Sequence, residues 1–389
     1  MKIRGRVLVL AVSVPVIAFA VVGGFLGNSA LAREDSYQYL RTFEDVVSLI
    51  ANNYVEEVDI DKVMHGAMHG LADGLDADSA YLDPAQVKVL DQGDAGASAH
   101  TGLEMTRQYY LRVIASRDGS PAARAGLMTG DYIRAIDGQS TRDTSVYEGM
   151  RLLRGKAGTK VRLTVLRGNA AEPHDVELTR ENLPAAPVKS RLAAPGVGYL
   201  RVAEFGKTTV DQMKAEVASL TKAGAKSLIV DLRGSAFGDP DAGVAAARLF
   251  VKTGVLSYQQ DRGKDKAAVS AATGDGALAL TTAVLTDNGT SGAAEVFAAA
   301  LAGNKRATLV GERTFGRAAR QKLVRLPDGG ALMLTHLVYL TPASEAIHEK
   351  GLTPDVPVEQ PDIEFGQAAP ATDATLDKAI ESLTVKAAA

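Results

Sequence analysis

The chain has 389 residues, 46% of them hydrophobic and 23% charged; that fits two or three globular domains of roughly 150 residues each and excludes disorder and collagen-like or fibrous repeats. A formal charge of −3 gives no electrostatic reason to expect nucleic acid as a partner. Cysteine is absent, which excludes disulfides, cysteine-ligated zinc, iron–sulfur clusters and a thiol nucleophile.

Lys2, Arg4 and Arg6 precede an uncharged stretch from Val7 to Gly27. As a helix that stretch spans roughly 31 Å, the thickness of a hydrocarbon core. Asn28-Ser29-Ala30-Leu31-Ala32 follows, and its Ala-x-Ala ending looks like a signal-peptidase site. Residues 1–32 are expected to be either a signal peptide or a retained single membrane anchor. Both readings export the rest of the chain to a periplasmic or other extracytoplasmic location.

Between Tyr37 and Val55, Leu40, Phe43, Val47, Ile50 and Tyr54 recur at three- and four-residue steps and predict an amphipathic helix. Val63, Met64, Ala67, Met68 and Leu71 repeat the signal up to Gly74. Residues 33–95 form a helical segment too small for a core of its own, so it is expected to pack on something else, a second copy of itself among the candidates. His65 and His69 stand i, i+4 on a helix, a zinc-capable spacing. No third ligand is evident, so solvent-facing histidines and no metal are expected.

Asp94–His100 is rich in Gly, Ala and Ser and reads as a linker. Residues 96–183 then carry short strands at Leu111–Ala115, Tyr132–Ile136 and Val161–Leu166, with the turn dipeptide Asp137-Gly138. One helical run, Ser145–Leu153, ends at Gly155. After the proline-rich Pro184–Pro195, residues 184–361 change rhythm. Strands at Gly198–Val202, Ser227–Asp231, Ala283–Thr286 and Thr308–Val310 alternate with helices at Val210–Lys222, Asp241–Phe250 and Ala293–Ala302, the pattern of an α/β layer. Gln321–Leu326 and Ala331–Thr335 flank Pro327-Asp328-Gly329-Gly330 as a hairpin. Residues 362–389 form a tail with one short helix, Leu376–Leu383.

Several ordered motifs between about residues 38 and 360 resemble the carboxyl-terminal processing peptidases, also called tail-specific proteases. Leu75-Asp76-Ala77-Asp78-Ser79-Ala80-Tyr81-Leu82 is similar to that family's amino-terminal helical motif, with Asp78 where a histidine is common. Gly119-Ser120-Pro121-Ala122-Ala123-Arg124-Ala125-Gly126-Leu127, Gly130-Asp131-Tyr132-Ile133 and Ile136-Asp137-Gly138 look like a PDZ domain, a pattern that Arg154-Gly155 and Gly158-Thr159-Lys160-Val161 continue. Asp231-Leu232-Arg233, Val310-Gly311-Glu312-Arg313-Thr314-Phe315-Gly316, Leu326-Pro327-Asp328-Gly329, Leu340-Thr341-Pro342 and Gly351-Leu352-Thr353-Pro354-Asp355 resemble the peptidase core. The resemblance implies an α+β multidomain chain: the amino-terminal helices, a PDZ-like β-rich domain, and an α/β core resembling the ClpP/crotonase-like fold.

The resemblance also implies a serine nucleophile, a lysine base and a helper glutamine. A lysine base works only if its amine is neutral near pH 7, which burial permits. In Asn288-Gly289-Thr290-Ser291-Gly292-Ala293-Ala294-Glu295, the nucleophile position three before Glu295 holds Gly292. The Gly-Lys pair is replaced by Gly316-Arg317, and a guanidinium does not deprotonate in proteins. Gln321 stands at the helper position. The oxyanion loop, usually Asn-Pro-Gly-Gly after Asp-Leu-Arg, is Ser235-Ala236-Phe237-Gly238, where Phe237 is expected to restrict backbone torsions that glycine visits freely and to fill space beside the oxyanion. Losing the nucleophile alone costs roughly 10⁶ in kcat. Ser291, one position upstream, is a substitute nucleophile only if the turn shifts, and as a helix N-cap or turn hydroxyl it needs no such role. Asp239 and Asp241 around Pro240 fit helix capping.

The PDZ-like segment is the surviving binding element. By resemblance, the loop Thr101-Gly102-Leu103-Glu104 takes a peptide carboxylate, and Val146 and Met150, with Leu153, form the groove wall. The expected function is a pseudopeptidase that binds polypeptide carboxyl termini as adaptor or scaffold, as a homodimer or beside an active homologue. An active endopeptidase of the same family and an envelope component with a vestigial groove remain alternatives. No cofactor is expected.

Overall fold

The computed structural model describes residues 37–92, 98–168, 172–367 and 370–388. The signal or anchor reading of residues 1–32 lies outside the described residues, as does most of the linker. Among the described residues no helix is long and apolar enough to cross a membrane. The chain divides into two units after Gly70.

The first unit holds a helix over residues 37–53 and most of a second, Ile60–Asp73. The apolar stripe is there, but Tyr39, Leu40, Leu49 and Tyr54 are 61–76% exposed. His65 and His69 lie on the second helix, and among the described residues no group of three or more His, Asp or Glu could hold a metal.

In the second unit, strands Leu103–Gln108, Tyr110–Ser116, Tyr132–Ile136, Lys160–Leu166 and His174–Thr179 make one antiparallel sheet in that order. Alternate residues Leu111, Val113, Leu163 and Val165 bury inward, as a period of two requires. Helix Val146–Leu152, capped by Ser145 accepting from the Glu148 amide, closes this core through Val146. Two readings of the sequence shift here. Ala99 and His100 are not linker: they pair with Gly155 and Glu181 and extend the sheet. Leu103 and Glu104 open a strand, leaving Thr101 and Gly102 as the loop.

The α/β layer is a sheet ordered Val356–Pro357, Ala307–Gly311, Thr281–Thr286, Ser227–Asp231, Val197–Arg201 and Lys189–Ala194. Neighbouring strands are parallel except the last, which runs antiparallel at the edge. The central strands read as unbroken apolar runs because helices cover both faces. Helix Ala293–Gly303 is buried along Ala293–Leu301, and its alanines let Pro240–Ala247 approach closely. That second helix ends earlier than Phe250, in a turn where Leu249 donates to the Ala246 carbonyl. A further antiparallel sheet joins Ala80–Leu82, the hairpin Ala319–Arg325 and Ala331–Leu340, and Val255–Asp261 with Ala267–Ser270.

The carboxyl-terminal helix runs Ala374–Ala388, longer than expected, and Leu376, Ala379 and Leu383 seal the outer face of the α/β sheet. Arg233 holds it in place: Nη2 lies 2.6 Å from Asp231 Oδ2 and 2.8 Å from Asp373 Oδ2, one residue before the helix. Burial works against ionised Asp231, but Arg233 and Arg201 hold its carboxyl below the usual carboxylate range. Arg233→Ala leaves buried Asp231 short of a partner and should cost about 3 kcal/mol. Denaturant unfolding checks this, and an unchanged midpoint contradicts it.

Candidate active site

Strand Thr281–Thr286 runs into a tight turn before helix Ala293–Gly303. Asp287 Oδ1 fixes the turn by accepting from the amides of Gly234 (2.9 Å) and Gly289 (3.0 Å) and from Thr290 Oγ1 (2.9 Å). Burial pushes the Asp287 carboxyl up. Gly292, the N-cap, sits at φ 60°, ψ −114°, a conformation residues with a Cβ adopt only under strain. A sharp strand-to-helix turn of this kind lifts a nucleophile above its sheet. A Cβ placed on Gly292 would meet only the Arg317 carbonyl oxygen, at 3.8 Å. The turn leaves room for a side chain at position 292 and carries none.

Glu295 ties this turn to the next loop. Its carboxylate accepts from the amides of Gly292 (2.9 Å), Gly316 (2.6 Å) and Arg317 (2.7 Å) and from Thr314 Oγ1 (2.5 Å). Burial pushes this carboxyl up to about 7, against those donors. Sequence spacing used Glu295 only as a marker; its role as acceptor for two loops depends on their meeting in space.

The Arg317 guanidinium turns to two carboxylates. Nε donates to Asp78 Oδ2 (2.8 Å), Nη2 lies 2.7 Å from Asp78 Oδ1, and Nη1 donates to Glu104 Oε1 (2.5 Å). Burial disfavours the cation, yet Asp78 and Glu104 hold its pKa above the ordinary value. Burial in turn raises that of Glu104 despite Arg317. Asp78 and Arg317, two separate departures in the sequence, are one ion cluster with a third member from the PDZ-like sheet. No sequence signal linked them.

Gln321 is not among the hydrogen-bond partners of the Arg317 side chain: its Nε2 donates to Thr335 Oγ1 (3.3 Å) across the hairpin. Ser291 is buried and is not the N-cap, which is Gly292; its amide donates to the Ser235 carbonyl (2.9 Å).

The altered oxyanion loop differs from expectation. Phe237 does not occupy a positive-φ position; Gly234 (φ 63°) and Gly238 (φ 118°) do. Phe237-Gly238 pairs in parallel with Glu204-Phe205, and a Cβ on Gly238 would fall 2.0 Å from the Phe205 carbonyl oxygen. Phe237 instead lies under Arg117 of the PDZ-like sheet, with Cζ 5.9 Å from the ring centroid. Arg117 pairs with Glu204, and Asp118 pairs with Arg201 (2.8 Å), so two ion pairs tie this edge of the site to the PDZ-like domain. Asp239 caps Pro240–Ala247 and Asp241 accepts from Tyr339 Oη (2.7 Å), so both are structural.

Of the groove residues, Leu103 and Val146 are buried in the PDZ-like core and Met150 is packed against it. Thr101 Oγ1 is buried with no hydrogen-bond partner, and the Gly102 amide donates to His100 Nδ1 (3.1 Å).

An α/β layer with a nucleophile-type turn, joined to a PDZ-like sheet, defines a peptidase-fold protein. Residues 196–358 match the family described as Peptidase family S41, and residues 112–167 match one described as PDZ domain. A carboxy-terminal-processing protease of Bartonella bacilliformis is 30% identical over 360 residues, 89% of this chain and 83% of that one. Carboxy-terminal processing protease CtpA of Bacillus subtilis is 31% identical over 368 residues, 93% of this chain and 78% of its own. Among solved structures, a photosystem II D1 C-terminal processing protease superposes with a TM-score of 0.68 at 28% identity, covering 82% of this chain and 92% of that one. The chain belongs to the carboxy-terminal-processing protease family.

Proposed function

We propose that this chain is a non-catalytic member of its family, which binds polypeptide carboxyl termini through its PDZ domain as an adaptor or scaffold. The observation that carries the reading is the pairing of Gly292, a nucleophile turn without a hydroxyl, with Arg317, a cation held between Asp78 and Glu104. Neither group can attack a carbonyl or take up a proton. Buried Ser291 offers no exposed hydroxyl to replace them. The exposed apolar side chains of the first helix support association with a second copy or an active homologue. The charged and apolar pattern of residues 1–27 supports export.

The test incubates the full-length chain with unfolded polypeptides of varied carboxyl termini, beside Ser291→Ala. Expected are no cleavage above background and binding that is lost when the terminal carboxylate is amidated. Cleavage that Ser291→Ala abolishes would sink the non-catalytic reading.

A further inference from the structure

The PDZ sheet ends at strand Leu103–Gln108, whose outer edge is where a peptide would add as a further strand. Backbone directions identify what that edge presents. Val113 opposes Met105 but spends its own amide on the Asp131 carbonyl and its carbonyl on the Gly130 amide. Met105 therefore turns its N–H and C=O outward. Leu103 does the same, because the Arg117 amide donates to Gly102 beside the Leu103–Ser116 pair.

That edge is met by the peptidase core. Arg317 Nη1 lies 3.5 Å from the Met105 carbonyl oxygen while it holds Glu104. On the opposite wall of the groove, Tyr147 packs against Leu82 and Val87, and Gln86 Nε2 donates to Glu148 Oε2 (3.3 Å). Both walls are thus tied to the segment that carries Asp78.

We infer that Arg317, standing where a catalytic base is replaced, acts as a latch on the PDZ groove: with Asp78 and Glu104 it caps the Met105 edge, and a bound polypeptide tail must displace it. The inference rests on the peptide-binding reading above and specifies what controls that site. A peptide strand pairing at Met105 needs the carbonyl that Arg317 covers, so tail binding and the Arg317–Met105 contact exclude one another. Apparent affinity then falls by the fraction of molecules with the latch open.

The experiment compares the full-length chain with Arg317→Met and Glu104→Gln, the latter a milder change should the first not fold. Short fluorescent peptides with free and amidated carboxyl ends are titrated. The expected result is free-carboxylate binding about tenfold or more tighter in both variants. Equal affinity in all three proteins overturns the latch and leaves the peptide reading standing. Absence of binding to all three overturns the peptide reading and the latch with it.

Discussion

Gly292→Ser combined with Arg317→Lys is expected to remain at least ~10³-fold below a competent relative in peptidase turnover. The hydroxyl has room, since little but the Arg317 carbonyl lies near a Cβ on Gly292, although the backbone at φ 60° strains any side chain there. The base is what fails. A lysine at 317 would stand between Asp78 and Glu104, the carboxylates that now hold the guanidinium. Opposite charges at that range favour the ammonium form, so the amine cannot accept the serine proton near pH 7. Adding Asp78→Asn and Glu104→Gln should therefore raise turnover above the double variant, as measured by peptide hydrolysis at saturating substrate. Full activity in the double variant would show that the two carboxylates do not control the base and that the Phe237 loop is no obstacle.

Glu295→Ala is expected to be the most damaging single substitution in the site. It leaves the amides of Gly292, Gly316 and Arg317 and the Thr314 hydroxyl without their acceptor. Buried donors left unpaired cost about 1–3 kcal/mol each, so a loss of at least about 4 kcal/mol follows, or ~5 °C in Tm for a chain of this size. Calorimetry reads it directly, and a drop under ~2 °C would mean that the two loops hold without the carboxylate. The pH dependence carries a sign. Glu295 is raised to about 7 from an ordinary 4.5, so between those values the folded chain holds a proton that the unfolded chain has released. Its contribution to stability falls as pH rises through that window and is level above it. Glu295→Gln has no such proton, so the gap between wild type and variant should narrow from pH 5 to pH 7.5 in thermal melts.

Much of the architecture was legible because each layer has its own period. The Ser227–Asp231 strand, the Gln321 and Ala331 hairpin arms and the buried alanine helix after Gly292 follow from patterns a few residues long. Element ends were less legible. The Ala374–Ala388 helix outruns its apolar repeat, and the helix after Asp239 stops before Phe250 although apolar residues continue. Asp78, Glu104 and Arg317 were each visible, but nothing in a one-dimensional pattern relates residues more than 200 positions apart. Phe237 shows the reverse case: the substitution was plain, but the glycine-only torsions belong to Gly234 and Gly238 instead.

The sequence by itself determined that position 292 carries no hydroxyl and position 317 no titratable amine, because residue identity settles which protons can move. The tertiary structure alone decided what that arginine does, because an ion cluster exists only where folding brings its members within hydrogen-bond reach. It assembled Asp78 from the amino-terminal motif, Glu104 from the PDZ edge and Arg317 from the peptidase core into one half-buried contact.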